Sequence, residues 1–159
     1  MDKNCRNGRA MNNPISGVTL TQLKKISVND GEVLHIMKNS DYGYHGFGEV
    51  YLSEVMPGCI KGWKNHQNMV VNLSAPYGSV KVVIFDDRVD SISRGKFVEY
   101  IISRETNYSR ITIMPGLWFG FQCLSESPAA ILNVGSIRHD PTEVLTKCLS
   151  EINFDWRLK

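Results

Sequence analysis

The segment Ile60–His66, with the sequence IKGWKNH, places two lysines and a histidine at the spacing of a β-strand. Alternate side chains of a strand face the same side of the sheet, so Lys64 and His66 share one face, about 7 Å apart, and Lys61 and Trp63 share the other. Histidine exchanges protons near neutral pH, and lysine supplies a cation. Because such side chains are uncommon on a buried surface, the pair predicts a strand that lines a polar cavity. A solvated edge strand is the alternative.

The histidines do not have the spacing of a metal site. Small jelly rolls often bind iron, manganese or zinc through two histidines on one strand and a third on a later strand. Lys64 occupies the first position of that pair, and the later strand carries Phe119 where a third ligand would lie. The remaining histidines, His35, His45 and His139, lie in separate segments. We therefore expect no metal and no cofactor.

Other common catalytic motifs do not occur in the sequence. There is no G-x-S-x-G motif, and the four cysteines have no metal-ligand spacing, so we expect reduced, structural thiols at Cys5, Cys59, Cys123 and Cys148. Glycines alternate with aromatic residues over 42–48 but do not lie between a strand and a helix. They predict a tight loop rather than a phosphate-binding loop. Stacking of a base or a sugar on one of its aromatic rings is a weaker alternative.

Short strands separated by turns dominate the sequence, with turn residues at Pro57-Gly58 and Pro115-Gly116 among others. We predict strands over Glu32–Lys38, Glu49–Val55, Ile60–His66, Asn68–Leu73, Ser79–Phe85, Phe97–Ser103, Arg110–Met114, Trp118–Cys123 and Ala130–Val134. Strands at this spacing indicate an all-β sandwich or barrel with little helix. Only the run Asp140-Pro141-Thr142-Glu143 has the signals of a helix start, and it predicts a helix to about Leu149.

Length and charge restrict the classes of function. The 159 residues suffice for one domain with a sizeable core, and the first residues are polar without periodicity. We predict a flexible tail over 1–16 and a single domain over 17–159. The 18 basic and 16 acidic residues give a net charge of +2, which argues against binding nucleic acid through bulk charge. No apolar run is long enough for a bilayer and no secretory signal is visible, so we expect no membrane contact and a cytoplasmic location.

Three runs resemble, in order and spacing, the dTDP-4-dehydrorhamnose 3,5-epimerase family. They are GEVYLSEVMPGCIKGWKNHQ, GSVKVVIFDDR and RITIMPGLWFGFQCLSES. The first contains Lys61–His66, which lines up with the family's R-G-L-H-x-Q strand. The third contains the segment 114–125, which lines up with its P-P-G-x-x-H-G-F-x-x-L-S turn and strand. The likeness extends from about Gly17 to Trp156 and is closest to a shorter branch with a W-K/H-x-H strand.

The resemblance implies a fold and a reaction. The fold is the antiparallel jelly roll of the cupin superfamily. The reaction is metal-independent epimerisation of a nucleotide-linked 4-keto sugar, in which a base removes the proton next to the ketone and an acid returns a proton to the opposite face of the enolate. The expected substrate is a dTDP-4-keto-6-deoxy sugar of surface-polysaccharide or deoxysugar biosynthesis. Family members are typically homodimers that exchange edge-strand contacts, which implies a homodimer here.

The sequence departs from the family pattern at its catalytic positions. Lys64 stands where the family places its catalytic histidine, and His66 stands where a glutamine is usual. The family's later catalytic tyrosine aligns near Asn133, and its early arginine corresponds to Asp30. The carboxylate that orients the family's histidine comes from a C-terminal region that we expect this chain to lack.

An altered catalytic set is therefore the leading interpretation. We expect Lys64 and His66 to form a base–acid pair, because a desolvated lysine can act as a base or as a cation facing the enolate, and Tyr51 to supply a phenolic donor. Substrate binding is expected to involve Lys61, Arg110, Asn133 and Trp118, with Lys61 or Arg110 on the phosphates. A non-catalytic jelly-roll module that binds a sugar nucleotide or carbohydrate is the alternative. A metal-dependent cupin oxygenase ranks third.

Overall fold

The structure is a computed structural model that describes residues 13–158. Within them, twelve strands account for nearly all regular structure: β1 Val18–Gln22, β2 Lys25–Val28, β3 Gly31–Leu34, β4 Glu49–Val55, β5 Ile60–His66, β6 Val71–Tyr77, β7 Ser79–Phe85, β8 Phe97–Ser103, β9 Ser109–Ile113, β10 Trp118–Cys123, β11 Ala129–Gly135 and β12 Val144–Thr146. A short 3-10 helix, Leu149–Glu151, follows β12. The described residues contain no helix that is long and apolar enough to cross a membrane.

Two five-stranded antiparallel sheets form the molecule. Sheet I has the order β1-β9-β6-β11-β4, and sheet II has the order β12-β5-β10-β7-β8. The chain crosses from one sheet to the other at β4–β5, β5–β6 and β6–β7, as in a jelly roll. Strands β2 and β3 form a separate hairpin. The predicted all-β antiparallel jelly roll is confirmed.

The main core fills the space between the two sheets. Alternate residues of the central strands face inward and are fully buried, including Leu73 on β6, Val82 on β7, Ile111 on β9 and Ile131 on β11. Burial of these aliphatic side chains supplies most of the driving force for closing the sandwich. We call the sheet surfaces that meet this core the inner faces.

A second apolar cluster covers the opposite, outer face of sheet II. Trp63, Val83, Trp118 and Ile152 are buried there, and Phe85, Phe97, Phe154 and Trp156 pack against them. Strand β7 is therefore covered on both faces, which explains why it is an almost continuous apolar run. Near the C-terminus, Phe154 and Trp156 pack on the aromatic side chains of this face, Phe97 and Trp63.

The predicted helix over Asp140–Leu149 is wrong. Asp140 does accept hydrogen bonds from Thr142, from the backbone at 2.8 Å and from the hydroxyl at 2.6 Å, but the chain then continues as strand β12. Val144 and Thr146 pair with His66 and Lys64 of β5. The capping residues therefore begin a turn, because the V-L-T run that follows is better suited to a sheet edge than to a helix.

Other boundaries differ from the sequence prediction as well. Strand β6 runs from Val71 to Tyr77, where Asn68–Leu73 was predicted, and the strand predicted over Glu32–Lys38 ends at Leu34. Of the predicted tail, residues 1–12 lie outside the described part of the chain. Ile15 is buried in the core, and the backbone N–H of Ser16 donates to Ser93 Oγ at 3.0 Å.

The described cysteines are free thiols. Cys123 is buried, as expected of a structural thiol, whereas Cys59 and Cys148 are exposed. Cys5 lies outside the described residues.

Candidate active site

Strand β5 carries Lys64 and His66 on the inner face of sheet II. The register pairs Lys64 with Phe119, a residue of the main core, and pairs His66 with Val144. Residues directly opposite in an antiparallel pair share a face of the sheet. The His66 ring also stacks on Phe119, with ring centroids 6.0 Å apart and planes 18° apart. The prediction that Lys64 and His66 face the same side is confirmed.

A bulge in β5 separates these residues from Lys61. The register pairs Phe119 with Lys64 and Phe121 with Lys61, so two steps on β10 correspond to three on β5. The expectation that Lys61 and Trp63 share a face is therefore wrong. Trp63 is buried in the outer cluster, whereas Lys61 is exposed opposite Phe121 and its ammonium donates to the backbone oxygen of Glu54 at 2.5 Å.

A buried carboxylate holds one nitrogen of His66. Glu143 immediately precedes β12, and its Oε1 accepts a short hydrogen bond from Nδ1 of His66. Its Oε2 accepts from the backbone N–H groups of Asn68 and Met69 at 3.0 and 3.2 Å. Burial raises the pKa of Glu143, but these hydrogen bonds and the neighbouring His66 outweigh burial and hold it below its ordinary value. Glu143 is therefore an ionised acceptor.

His66 lies on the inner face, so its imidazole is directed toward the space between the sheets. An ionised carboxylate only accepts hydrogen bonds, so Nδ1 of His66 donates its proton to Glu143. Nε2 has no hydrogen-bond partner among the described residues. It is not fully buried either, since the fully buried polar atoms that lack a partner do not include it. The His66 side chain is 8% exposed, so the imidazole is largely shielded from bulk solvent.

Tyr51 and Asn133 lie side by side on the inner face of sheet I. The register pairs Tyr51 with Asn133, and Asn133 with the core residue Leu73. The Asn133 amide is buried and donates to the backbone oxygen of Ile131 at 3.0 Å. Burial, with a smaller contribution from Glu49, raises the pKa of Tyr51 above its ordinary value of 10.0. The Tyr51 hydroxyl therefore stays protonated at neutral pH.

The space between the sheets is filled by buried side chains at one side and reaches solvent at the other. Along β4, the inner-face side chains change from fully buried at Val55 to 39% exposed at Tyr51. On sheet II, Lys64 is exposed although it lies on the inner face beside the buried Phe119. Inner-face side chains that reach solvent must border an opening. From these positions we infer a cleft between the sheets, with Lys64 and His66 on one wall and Tyr51 and Asn133 on the other.

Arg110, which was expected in this site, lies on the opposite face of sheet I. Its neighbour Ile111 faces the core, so strand alternation directs Arg110 outward. The guanidinium is fully buried and donates to the backbone oxygens of Ile36 and Tyr42 at 2.7 and 2.6 Å and to the Asp41 carboxylate at 3.2 Å. Arg110 holds the segment 36–42 against the sheet. This position does not support the expectation that Arg110 contacts the substrate phosphates.

Trp118 also lies outside the cleft. It pairs with Asn65 and Phe85 on the outer face of sheet II, and the Lys147 ammonium lies 4.6 Å from its ring centroid. The indole therefore packs in the outer cluster, because strand β10 directs Phe119 inward and Trp118 outward. Among residues 13–158, no three His, Cys, Asp or Glu side chains are grouped as a metal site would require.

Comparisons with known proteins find relatives that span nearly the whole chain, although no protein-family model matches the sequence. The spore coat polysaccharide biosynthesis protein SpsL of Bacillus subtilis strain 168 is 27% identical over 146 residues, which are 89% of this chain and 96% of that protein. A dTDP-4-dehydrorhamnose 3,5-epimerase from Elizabethkingia anophelis NUHP1 shares the fold, with 17% identity and a TM-score of 0.81 over 97% and 88% of the two chains. A dTDP sugar isomerase from Desulfovibrio desulfuricans G20 is 32% identical, with a TM-score of 0.87 over 90% of this chain and 92% of that chain. The chain belongs to the dTDP-4-dehydrorhamnose 3,5-epimerase family.

Glu143, which holds His66 in this member of the dTDP-4-dehydrorhamnose 3,5-epimerase family, is not among the site residues that the sequence predicts. Glu143 was assigned to a helix start, and the orienting carboxylate was expected to be lacking. The turn before β12 instead directs Glu143 onto β5. The available signal was the pairing of an Asp-Pro-Thr-Glu turn with a following β-branched run, which is typical of a sheet edge. Phe119, at the position of the family motif's histidine, was treated only as a missing ligand, yet it stacks on His66.

Proposed function

We propose that this protein is a nucleotide-sugar epimerase or isomerase that removes the proton next to the ketone of a dTDP-4-keto-6-deoxy sugar. The observation that carries the proposal is the imidazole of His66, held at Nδ1 by Glu143 and presenting Nε2 to the cleft. Relatives described as a dTDP sugar isomerase and a spore coat polysaccharide biosynthesis protein support a nucleotide-sugar substrate and a role in surface-polysaccharide or deoxysugar biosynthesis. The proposal places the protein in the cytoplasm, where nucleotide sugars are found.

In the first step, Nε2 of His66 takes the proton from the carbon next to the ketone. The electron pair of that C–H bond becomes the double bond of an enolate, and the carbonyl π electrons move to oxygen. Glu143 stabilises the imidazolium that forms, as a buried carboxylate does for a catalytic histidine. The Lys64 ammonium, on the same wall of the cleft, stabilises the enolate oxygen.

In the second step, a proton returns to the same carbon from the opposite face. Tyr51 lies on the facing wall, and its raised pKa keeps the phenol protonated as a donor. The imidazolium of His66 then returns its proton to the solvent or to the tyrosinate. Asn133, beside Tyr51, orients the sugar through its amide. Of the two expected phosphate ligands, Lys61 retains an exposed side chain and is assigned that role.

The proposal includes a homodimer. Strand β4 forms an edge of sheet I, and its outward side chains Val50 and Leu52 are 51% and 58% exposed. An unpaired edge strand with exposed aliphatic side chains favours association with another strand. Light scattering coupled to gel filtration is expected to give twice the mass of the chain for the natural protein and the monomer mass for Leu52→Glu. A monomeric natural protein would contradict this part of the proposal.

A non-catalytic module that binds a sugar nucleotide is the second candidate. Two observations favour it: an amide, Asn133, occupies the position of the family tyrosine, and Phe119 occupies the position of the motif histidine. A binding module would retain affinity for dTDP-4-keto-6-deoxy-D-glucose but would leave its carbon-bound protons in place. The enzyme would exchange them.

Exchange of carbon-bound protons with solvent deuterium tests the proposal. We expect the natural protein to wash deuterium into dTDP-4-keto-6-deoxy-D-glucose, detected by NMR, before any product is identified. His66→Ala is expected to abolish the exchange, and His139→Ala, at an exposed histidine outside the cleft, is the matched control that retains it. Binding without exchange would favour the module, and unchanged exchange in His66→Ala would exclude His66 as the base.

A further inference from the structure

The C-terminal segment Ile152–Arg157, here called the strap, lies directly behind the strand that carries Lys64. Trp63, the residue before Lys64, is fully buried on the outer face of sheet II. Its ring lies 5.3 Å from the Trp156 ring and 6.5 Å from the Phe154 ring, the latter edge-on. The strap therefore fixes the side chain that alternates with Lys64 across β5.

The strap also covers the bulge that sets the direction of Lys64. At the bulge, Gly62 and Gly120 approach so closely that a Cβ on Gly62 would lie 2.9 Å from the Cα of Gly120. On the strap side, a Cβ on Gly120 would lie 3.2 Å from Cη2 of Trp156. The Trp156 indole thus packs against the bulge, where the pairing of β5 with β10 shifts by one residue. No space remains there between the indole and Gly120.

A buried lysine holds the end of the strap in place. Lys81 lies on the outer face of β7 and is 2% exposed, and it takes no part in the proposed reaction. Its ammonium donates a short hydrogen bond to the backbone oxygen of Trp156 and a second one, of 3.3 Å, to that of Arg157. Charge-assisted hydrogen bonds of this kind are about twice as strong as neutral ones, so the Lys81 ammonium fixes the position of the Trp156 backbone.

We propose that Lys81 is a positioning residue for Lys64. By fastening the strap, it keeps Trp156 against Trp63 and the bulge, and thereby directs the Lys64 ammonium into the cleft. The inference rests on the proposed function, in which Lys64 faces the enolate oxygen. Both Lys64 and His66 pair with β12, but His66 is also held by its side-chain hydrogen bond to Glu143, so we expect Lys81 to act on Lys64 rather than on His66.

A double-mutant cycle tests this role. We expect Lys81→Met, which removes the ammonium at nearly constant volume, to lower kcat for dTDP-4-keto-6-deoxy-D-glucose about tenfold and to change KM less than about twofold, because Lys64 acts on charge that develops in the transition state. Lys81→Arg, which can donate to both carbonyls, is expected to restore most of kcat. In the Lys64→Ala background, Lys81→Met is expected to have no further effect. In the Glu143→Gln background, the tenfold loss is expected to persist.

A general loss of stability would give a different pattern, with Lys81→Met lowering kcat equally in every background. That result, or a wild-type kcat for Lys81→Met, would overturn the positioning role. If Lys81→Met does not fold, Trp156→Leu, which removes the indole from Trp63, is measured in the same backgrounds with the same expected pattern. The proposed function fails separately, if Lys64→Ala and His66→Ala both retain wild-type exchange.

Discussion

Glu143 Oε1 accepts the Nδ1 proton of His66 across 77 positions of the chain, and both side chains are more than nine-tenths buried. His66 is the last residue of β5 and Glu143 immediately precedes β12, so the contact depends on the pairing of these two strands. A buried carboxylate in this position orients the imidazole through Nδ1 and leaves Nε2 free to exchange a proton. In the proposed reaction, the pair is therefore in place for proton abstraction before the substrate binds.

Replacing this carboxylate is expected to reduce catalysis far more than binding. Glu143→Gln keeps the size of the side chain but removes the charge that stabilises the imidazolium, so we expect kcat to fall by a factor of about 10² to 10⁴ with a smaller change in KM. Deuterium exchange and steady-state kinetics measure both. Glu126→Gln, at an exposed glutamate in the turn after β10, is the control and should retain wild-type rates. A variant of Glu143 with unimpaired kcat would show that the pair has only a structural role.

The same carboxylate makes the fold sensitive to acid. The pKa of Glu143 in the folded protein lies below its ordinary value of 4.5, so the unfolded chain binds the proton more readily. The contribution of Glu143 to the free energy of unfolding is therefore fully present above that ordinary value and is lost as the pH falls through the folded pKa. Thermal melts from about pH 6 to about pH 3 should show the natural protein losing its stability advantage over Glu143→Gln. A difference in melting temperature that stays constant with pH would contradict this.

Arg110 is expected to affect stability rather than substrate binding. Its buried guanidinium satisfies three acceptors of the segment 36–42. Arg110→Met leaves those acceptors without a donor and should lower the free energy of unfolding by about 3 kcal/mol, measured by urea denaturation. KM of the folded fraction should be unchanged, because the side chain lies outside the cleft. A rise in KM at unchanged stability would restore the sequence prediction that Arg110 binds phosphate.

The strands were predictable because their signals are local. Five of the predicted strands, among them β5, β7 and β10, have the observed bounds, since short β-branched and aromatic runs between Gly and Pro turns define a strand without reference to its partners. The face of Lys64 and His66 followed from strand alternation. The outward position of Arg110 was not predicted, although the same alternation applies to β9. A buried arginine resembles a substrate-binding residue until its backbone acceptors are known.

The contacts of His66 could not be predicted in the same way. The Asp140-Pro141-Thr142-Glu143 run begins either a helix or a turn, and only the pairing of β12 with β5 decides between them. The bulge at Gly62 depends on the close approach of Gly120 and on the strap behind it, which are tertiary contacts with no local signature. Such competition between local propensity and tertiary pairing is expected at the margins of a sheet.

Tyr51 gives the sharpest test of how the two walls of the cleft divide the reaction. In Tyr51→Phe, His66 can still remove the proton and return one to the same face, so solvent deuterium should continue to exchange into dTDP-4-keto-6-deoxy-D-glucose while inversion at that carbon falls by a factor of about 10² or more. NMR of the same sample reports both, and Tyr77→Phe, at a 61% exposed tyrosine, is the matched control. Because the pKa of Tyr51 is raised above 10.0, inversion in the natural protein should persist to alkaline pH and decline only above that value. Equal loss of exchange and inversion would assign Tyr51 to the first step, and retention of both would remove it from the reaction.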